Sequence, residues 1–234
     1  GMNDVARCAW PLPHGIHWGE SREQVRLHMA AHQSTLHSSM ASDAWDVPGY
    51  RITVAYAGEV PQAERVFCRQ MPVDLDAPAD TAPPPLAKII ENWGGSVARA
   101  DWRRLWRTWL DDEAVSRAVE DGQIDLTASF GVTLHVNADG GEPLLRAVTL
   151  HRNRDTDSVG WRGSLPLGLS FDDSPDALFA KIPRKPESAQ HGSTTGHAVW
   201  QFAEYTLHVL YSCVDNRLLR VKLLAPGVWK SIRS

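Results

Sequence analysis

Apolar and polar residues alternate with a period of two in three stretches of the chain, 50–69, 132–151 and 205–224. This period places successive side chains on opposite faces of an extended chain, so each stretch predicts a strand, a polar turn and a second strand. Two of the stretches share Thr-Leu-His-Val before the turn and Leu-Leu-Arg after it. The pattern therefore predicts similar antiparallel hairpins at several places in one chain.

A short amphipathic helix is predicted ahead of the first and the last hairpin. Ser21, followed three residues later by Gln24, has the spacing of a capping box, in which both side chains pair with free backbone N–H groups. Ser174 is followed by proline, which suits the first position of a helix. Val25 and Met29 form the apolar stripe that would pack the first helix on its strands.

The segments 12–72 and 163–226 match closely enough to be interpreted as homologous modules. Their aromatic and aliphatic residues recur in register, with only a short difference in loop length. The matching pairs are Trp45 and Trp200, Tyr50 and Tyr205, Val54 and Val209, Tyr56 and Tyr211, and Val66 and Val221. Residues 93–160 are interpreted as a helical insertion followed by a diverged copy of the module.

The predicted fold class is therefore α+β. It consists of tandem repeats of a short helix packed on an antiparallel β-meander, with a helical insertion between the outer repeats. Residues 1–11 form an N-terminal segment and residues 227–234 a tail. Residues 73–92 contain a linker and the start of a helix. Because 71–86 is rich in proline and aspartate, the linker is expected to be stiff and solvated.

Residues 99–110 predict an amphipathic helix with tryptophan on one side and arginine on the other. The residues at helical spacing on the apolar face are Trp102, Leu105, Trp106 and Trp109. Asp112 is placed to cap a following helix, and Gly122 to end it. Stacking on tryptophan with phosphate contacts to arginine would suit nucleic acid, but core packing of the tryptophans is favoured because neighbouring aspartates dilute the charge.

The overall charge and the cysteines narrow the classes of function. The chain has 24 Lys and Arg against 28 Asp and Glu, a net charge of −4, which makes a nucleic-acid partner unlikely. The 3 cysteines cannot all pair and none lies in a C-x-x-C motif, so neither a disulfide scaffold nor a thiolate zinc site is expected. No stretch has the length of a membrane span or the apolar core of a signal peptide, so we expect a cytoplasmic protein with no membrane partner.

The module has a recognisable order of residues: glycine, serine and an aliphatic residue, then Trp-x-x-x-x-Tyr and alternating apolar positions. The residues that carry this order are Gly19, Ser21, Val25, Trp45, Tyr50, Val54, Tyr56 and Val66, and in the last module Ser174, Leu178, Trp200, Tyr205, Val209, Tyr211 and Val221. The order resembles the small α/β repeats of the SmpA/OmlA and beta-lactamase-inhibitor-protein-like group. The resemblance implies that helices cover one sheet face while the other engages protein partners without catalysis. A lipobox cysteine is not recognised and a middle segment is inserted, so a role in envelope assembly is not implied.

Histidines supply the weak candidates for a metal site. His28 and His32 have the i, i+4 spacing of helical zinc ligands. The glutamate that follows the first histidine in H-E-x-x-H is missing, and lysines occupy the matching positions of the last module. The expectation is therefore no metal and no cofactor.

The candidate binding residues are Thr53, His135 and His208. Each alternates with apolar neighbours along its predicted strand, so each is expected on an open sheet face. No recurring carboxylate accompanies the histidines, so no catalytic residue is assigned. The favoured function is non-catalytic binding of another protein, of the inhibitor or immunity type. The alternatives are an enzyme with a site between modules, for which metal dependence is one option, and nucleic-acid binding through the Arg/Trp helix.

Overall fold

The structure is a computed structural model that describes residues 3–4, 12–32 and 34–230. The predicted N-terminal segment lies mostly outside this range, as does the end of the tail. The helices are α1 (Arg22–Ala30), α2 (Leu86–Ile90), α3 (Ala100–Leu105), α4 (Asp112–Asp121) and α5 (Pro175–Lys181). The strands are β1 (Asn3–Asp4), β2 (Leu36–Ser38), β3 (Ser42–Val47), β4 (Tyr50–Ala57), β5 (Gln62–Gln70), β6 (Gln123–Leu126), β7 (Val132–Asp139), β8 (Glu142–His151), β9 (Ser188–His191), β10 (Thr195–Gln201), β11 (Thr206–Ser212) and β12 (Arg217–Leu224).

The strands form two antiparallel sheets, which confirms the α+β class. The first sheet has five strands in the order β1-β5-β4-β3-β2. The second has seven in the order β6-β7-β8-β12-β11-β10-β9, so the middle and last parts of the chain share one sheet. They are joined through β8 and β12, where Val148 is paired with Leu223. Within the described residues, no helix combines the length and apolar character needed to cross a membrane.

Helix α1 covers one face of the first sheet and is held there by the predicted stripe. Val25 is 0% exposed and Met29 1% exposed, and both belong to the same hydrophobic core as Ile52 of β4. The capping box is confirmed, since Gln24 N donates to Ser21 Oγ at 3.2 Å and Ser21 N donates to Gln24 Oε1 at 2.9 Å. Local sequence therefore sets both the start of this helix and the face it buries.

The second sheet packs its inner face against α3, α4 and α5. Trp102 and Trp106 are buried in this core, as the predicted stripe requires, but Trp109 is 40% exposed. The helix expected over 99–110 is shorter because α3 ends at Leu105 and Arg107 adopts a left-handed φ of 53°. The predicted cap of the next helix is also off by one residue, since Asp111 rather than Asp112 accepts from the helix N-terminus.

The linker is less solvated than its composition suggests. The side-chain amide of Asn153 bonds both backbone groups of Leu75, at 2.8 Å and 2.9 Å. Arg154 Nε donates to the carbonyl oxygen of Val73 at 2.6 Å, and Thr81 is 1% exposed. The linker therefore lies along the second half of the chain, tied down by polar side chains that no local pattern identifies.

The helix-free face of the first sheet is covered by the turn 213–216 that joins β11 and β12. Thr53 is 3% exposed, and its hydroxyl donates to the carbonyl oxygen of Val214 at 2.7 Å. The guanidinium of Arg51, itself 1% exposed, donates to the carbonyl oxygen of Asp215. The sequence placed Thr53 on an open face, and the structure corrects that placement. The two residues in this contact are far apart in the chain, so the alternation of apolar and polar residues along β4 does not predict it.

Candidate functional site

The helix-free face of the second sheet carries a row of polar residues across neighbouring strands. His208 is paired with Lys222, Lys222 with Thr149, and Thr149 with Thr133. The row continues from Thr133 to Asp125 on β6. Directly paired residues point to the same side of a sheet, so this row forms a continuous polar surface.

Two parallel rows complete the surface. On one side His135 is paired with Gln123, and on the other Arg220 is paired with both Leu210 and His151. Together the three rows line a cleft of about 390 Å³, which we call the polar cleft. The two histidines predicted as contact residues, His135 and His208, both line it.

Hydroxyl and imidazole groups are linked by hydrogen bonds across the floor of the polar cleft. His135 Nε2 lies 2.8 Å from Thr149 Oγ1, and Thr133 Oγ1 lies 2.9 Å from His151 Nε2. Thr133, Thr149 and His151 are less than a tenth exposed, so these bonds lie beneath the surface. The floor is therefore a preformed array rather than a set of free side chains.

Asp155 follows β8 and orients one end of this array. Its Oδ2 lies 2.7 Å from His151 Nδ1, and Arg220 Nε donates to the same oxygen at 2.6 Å. Burial alone raises the pKa of Asp155, but the bonds from His151 and Arg220 outweigh it and leave the pKa below its usual value. The carboxylate is therefore ionised and accepts only, which places a proton on Nδ1 of His151. In the neutral imidazole, Nε2 then accepts the hydroxyl proton of Thr133.

The two predicted histidines are uncharged at neutral pH. Burial, with Lys222 and Arg146 nearby, lowers the pKa of His135 to about 4. Burial, with His197 and Lys222 nearby, lowers the pKa of His208 to about 4. Both side chains therefore act as neutral hydrogen-bonding groups in the cleft.

Lys222 is a charged group of the cleft that has no partner in the described part of the chain. Its side chain is half-buried, and burial together with Arg146 lowers its pKa. Among the residues that the structure describes, no acceptor lies within hydrogen-bonding distance of its ammonium group. Beside it, Nε2 of His208 is buried and also lacks a partner within the described chain. The cleft thus presents a cation that has no acceptor among the described residues, while the unpaired nitrogen of His208 lies beneath the surface.

Sequence reasoning found two residues of the cleft and missed the others. Lys222 and Arg220 alternate with the core residues of β12, so the sequence does predict that their side chains point away from the core. What could not be read is that Lys222 has no partner and that Arg220 is held by Asp155, a residue in a loop. Thr53, the remaining predicted residue, lies in the other sheet and outside the cleft.

The weak metal candidates separate in the structure. His28 Nε2 lies 3.1 Å from Glu20 Oε1, whereas His32 Nε2 lies 3.2 Å from His14 Nδ1. The i, i+4 pair therefore does not act as a pair, and each histidine has a different neighbour.

Comparison with known proteins adds no relative. No protein-family model matches the chain, and no curated protein or solved structure shows significant similarity to it. The class defined by fold and site is thus an α+β protein of two antiparallel sheets, one of which carries a polar cleft. Any function has to be argued from that cleft.

Proposed function

We propose that the protein is a non-catalytic binding protein whose polar cleft holds the anionic group of a small molecule, a carboxylate or a phosphate. The observation that carries the proposal is Lys222, a half-buried residue whose ammonium group has no partner among the described residues. Partial burial costs a charged group its hydration, and a bound anion restores that loss. Charge-assisted hydrogen bonds contribute about 1.5–3 kcal/mol each, enough to bind a small ligand when two or three converge.

The size and lining of the cleft support a small ligand. Its volume of about 390 Å³ lies in the range of small-molecule sites. Neutral His208 and Thr149, which flank Lys222 along the row, add no charge that would oppose an anion, and the ammonium group of Lys222 supplies the donors. The carboxylate among the residues that line the cleft is Asp125 at the far end of the row, and Asp155 behind the lining already binds Arg220. An anion near Lys222 therefore meets attraction from the nearest groups.

The test is ligand-dependent thermal stability of the full chain. Inorganic phosphate and succinate, added at constant ionic strength, are expected to raise Tm by about 5–10 °C at saturating concentration. Lys222→Met should remove this rise, while Lys185→Met, at an exposed lysine outside the cleft, should keep it. An equal rise in all three proteins would refute the proposal.

A protein partner, expected from the sequence, remains a separate prediction that the same variants address. An acidic side chain of another protein would use the same cation. If small anions leave Tm unchanged but a captured protein is lost specifically from Lys222→Met, the cleft is a protein-binding face.

A second candidate, nucleophilic hydrolysis of an ester, is favoured by the Thr133–His151–Asp155 chain of hydrogen bonds. Its connectivity is that of a nucleophile, a base and an orienting carboxylate. In this reaction Thr133 Oγ1 would attack the carbonyl carbon while Nε2 of His151 takes the hydroxyl proton, and the ester C–O bond would break as this proton passes to the leaving alcohol. Water, activated by the same imidazole, would then hydrolyse the acyl-threonine to the free acid and restore the hydroxyl. Hydrolysis of p-nitrophenyl acetate that is lost in Thr133→Val, with anion binding intact, would establish it. Equal rates in both proteins would exclude this role for Thr133.

We also propose that residues 12–72 and 163–226 are tandem copies of one module. Both begin with a 3₁₀ turn whose central residue is left-handed, His14 at φ 59° and Leu167 at φ 59°. In both, a serine then caps the helix, Ser21 for α1 and Ser174 for α5. These shared local features support common descent of the two segments.

The strands support the same proposal. In each segment a helix is followed by four strands paired antiparallel in sequence order. The register shifts between Ala55 and Tyr56 in the first segment and between Leu210 and Tyr211 in the last, at matching positions of the sequence alignment. For the middle segment, α4 followed by β6, β7 and β8 supports a diverged copy with one strand fewer.

A further inference from the structure

Three side chains with metal-ligating atoms converge at α1, in the half of the molecule that lacks the polar cleft. His17 Nδ1 lies 2.8 Å from Glu20 Oε1, and His28 Nε2 lies 2.9 Å from Glu20 Oε2. One ligand atom from each residue lies within 4.8 Å of the other two. The three groups therefore surround a single point.

The backbone holds these groups in place. Gly19 N donates to the carbonyl oxygen of Ala63 at 3.0 Å, and Ala63 N donates to the carbonyl oxygen of Glu20 at 2.8 Å. Glu20 immediately precedes the capping box, so its position relative to α1 is fixed at the first turn. His28 lies in the last turn of the same helix. Two of the three ligands thus sit on rigid elements, a condition for a defined metal site.

The carboxylate of Glu20 faces both histidines from a nearly enclosed position. Its side chain is 15% exposed, and its buried Oε2 makes no well-aligned hydrogen bond in the described part of the chain, although His28 Nε2 lies 2.9 Å away. A bound cation would satisfy this oxygen more fully than the misaligned contact does.

The last module has a carboxylate at the position that matches Glu20, and there a lysine neutralises it. Asp173 precedes the helix cap Ser174 as Glu20 precedes Ser21. There Lys181 Nζ lies 2.8 Å and 2.9 Å from the two carboxylate oxygens of Asp173. Lysine neutralises the carboxylate but is protonated and has no lone pair for a metal. Around Glu20 two imidazoles replace it, and imidazole is a metal ligand.

We propose that His17, Glu20 and His28 bind a divalent ion of the zinc class. Bonds of about 2.0–2.2 Å in a tetrahedral site separate ligand atoms by about 3.3 Å, so atoms that lie within 4.8 Å of one another reach this geometry with shifts of under about 1 Å per group. Two imidazoles and one carboxylate suit zinc rather than magnesium or calcium, which prefer oxygen ligands. His17 is 77% exposed, so water reaches the fourth position.

The test is titration of the full chain with Co²⁺, followed by its visible spectrum, and then displacement by Zn²⁺. One ion per chain with a four- or five-coordinate spectrum and no thiolate charge-transfer band is expected. Even second-shell changes weaken metal sites by about 10–100-fold, so Glu20→Gln and His28→Ala should each weaken binding at least about tenfold. His32→Ala is the matched control, since His32 follows the same helix but lies outside the cluster.

Circular dichroism of each variant separates loss of ligand from loss of fold. Binding that is as strong in folded Glu20→Gln as in the unmodified chain would overturn the proposal. So would a thiolate band, which would assign the ion to a cysteine, or equal weakening in His32→Ala.

Discussion

Arg51 joins the two sheets and offers the sharpest test of how they are held together. It is 1% exposed, and its Nε and Nη2 donate to the two oxygens of Asp46 at 2.7 Å each. A third bond goes to the carbonyl oxygen of Asp215 in the turn of the other sheet. Arg51→Met keeps an unbranched apolar stem in place and removes the charge and all three donors.

The expected cost follows from what the variant leaves behind. Asp46 is 36% exposed and still forms an ion pair with Arg217 at 2.9 Å, so its carboxylate keeps a counter-ion in the variant. The carbonyl group of Asp215 loses its donor in a buried place, which costs about 1–3 kcal/mol. The lost charge-assisted bonds add to this, while the guanidinium no longer has to be desolvated. We expect a net loss of about 3 kcal/mol in the free energy of unfolding, at the lower end for a broken buried pair.

Urea unfolding followed by tryptophan fluorescence and by circular dichroism measures this loss. Arg65→Met is the matched control, because Arg65 lies on β5 and is exposed. It should change stability by no more than about 0.5 kcal/mol. A loss below about 1 kcal/mol for Arg51→Met would refute the reasoning, since the contact would then be held by shape alone.

Three further changes test the core, the titrating groups and the turn. Trp45 and Trp200 are 3% and 0% exposed, so truncating either to alanine should cost about 3–5 kcal/mol in urea unfolding; unchanged midpoints would contradict this. The pKa values of His135 and His208 are lowered from 6.5 to about 4, so the unfolded chain binds protons that the native chain does not. Stability should therefore fall between about pH 6.5 and pH 4, by roughly 1–2 kcal/mol per histidine after solvent screening, and the double glutamine variant should lose this dependence. Asn216 has a φ of 52°, so Asn216→Ala should be less stable than Asn216→Gly by about 1 kcal/mol, and equal values would exclude backbone strain there.

The features that the sequence predicted correctly are those that depend on the spacing of neighbouring residues. The capping box at Ser21 and the buried stripe of Val25 and Met29 are both present, because a few neighbouring residues determine them. His135 and His208 share a face because the same alternation puts both opposite a core of valine and leucine. Patterns with a period of two or of 3.6 residues are thus enough to assign elements and their faces.

Contacts between distant segments were not predictable in the same way. The bond from Thr53 to Val214 crosses from one sheet to the other, and nothing in β4 signals it. Asp155 reaches His151 from a loop, where no periodicity applies. Whether Lys222 has a partner among the described residues depends on the side chains of all the neighbouring strands. The sequence therefore predicted two histidines of the cleft but not how its residues come together.

Charge pairing explains why one helix-free face is covered and the other is not. Arg51 on the first sheet is buried and paired with the partly exposed carboxylate of Asp46, so covering that face leaves the guanidinium compensated. There Asn216, 0% exposed, donates to the carbonyl oxygens of His37 and Ser42 and fixes the turn against the sheet. Among the described residues, Lys222 on the second sheet has no such carboxylate, so covering it with protein would cost its ammonium group its hydration. Both sheets have the same alternation of apolar and polar residues, and the difference in counter-charge between them is what the proposal of an anion site on the second face rests on.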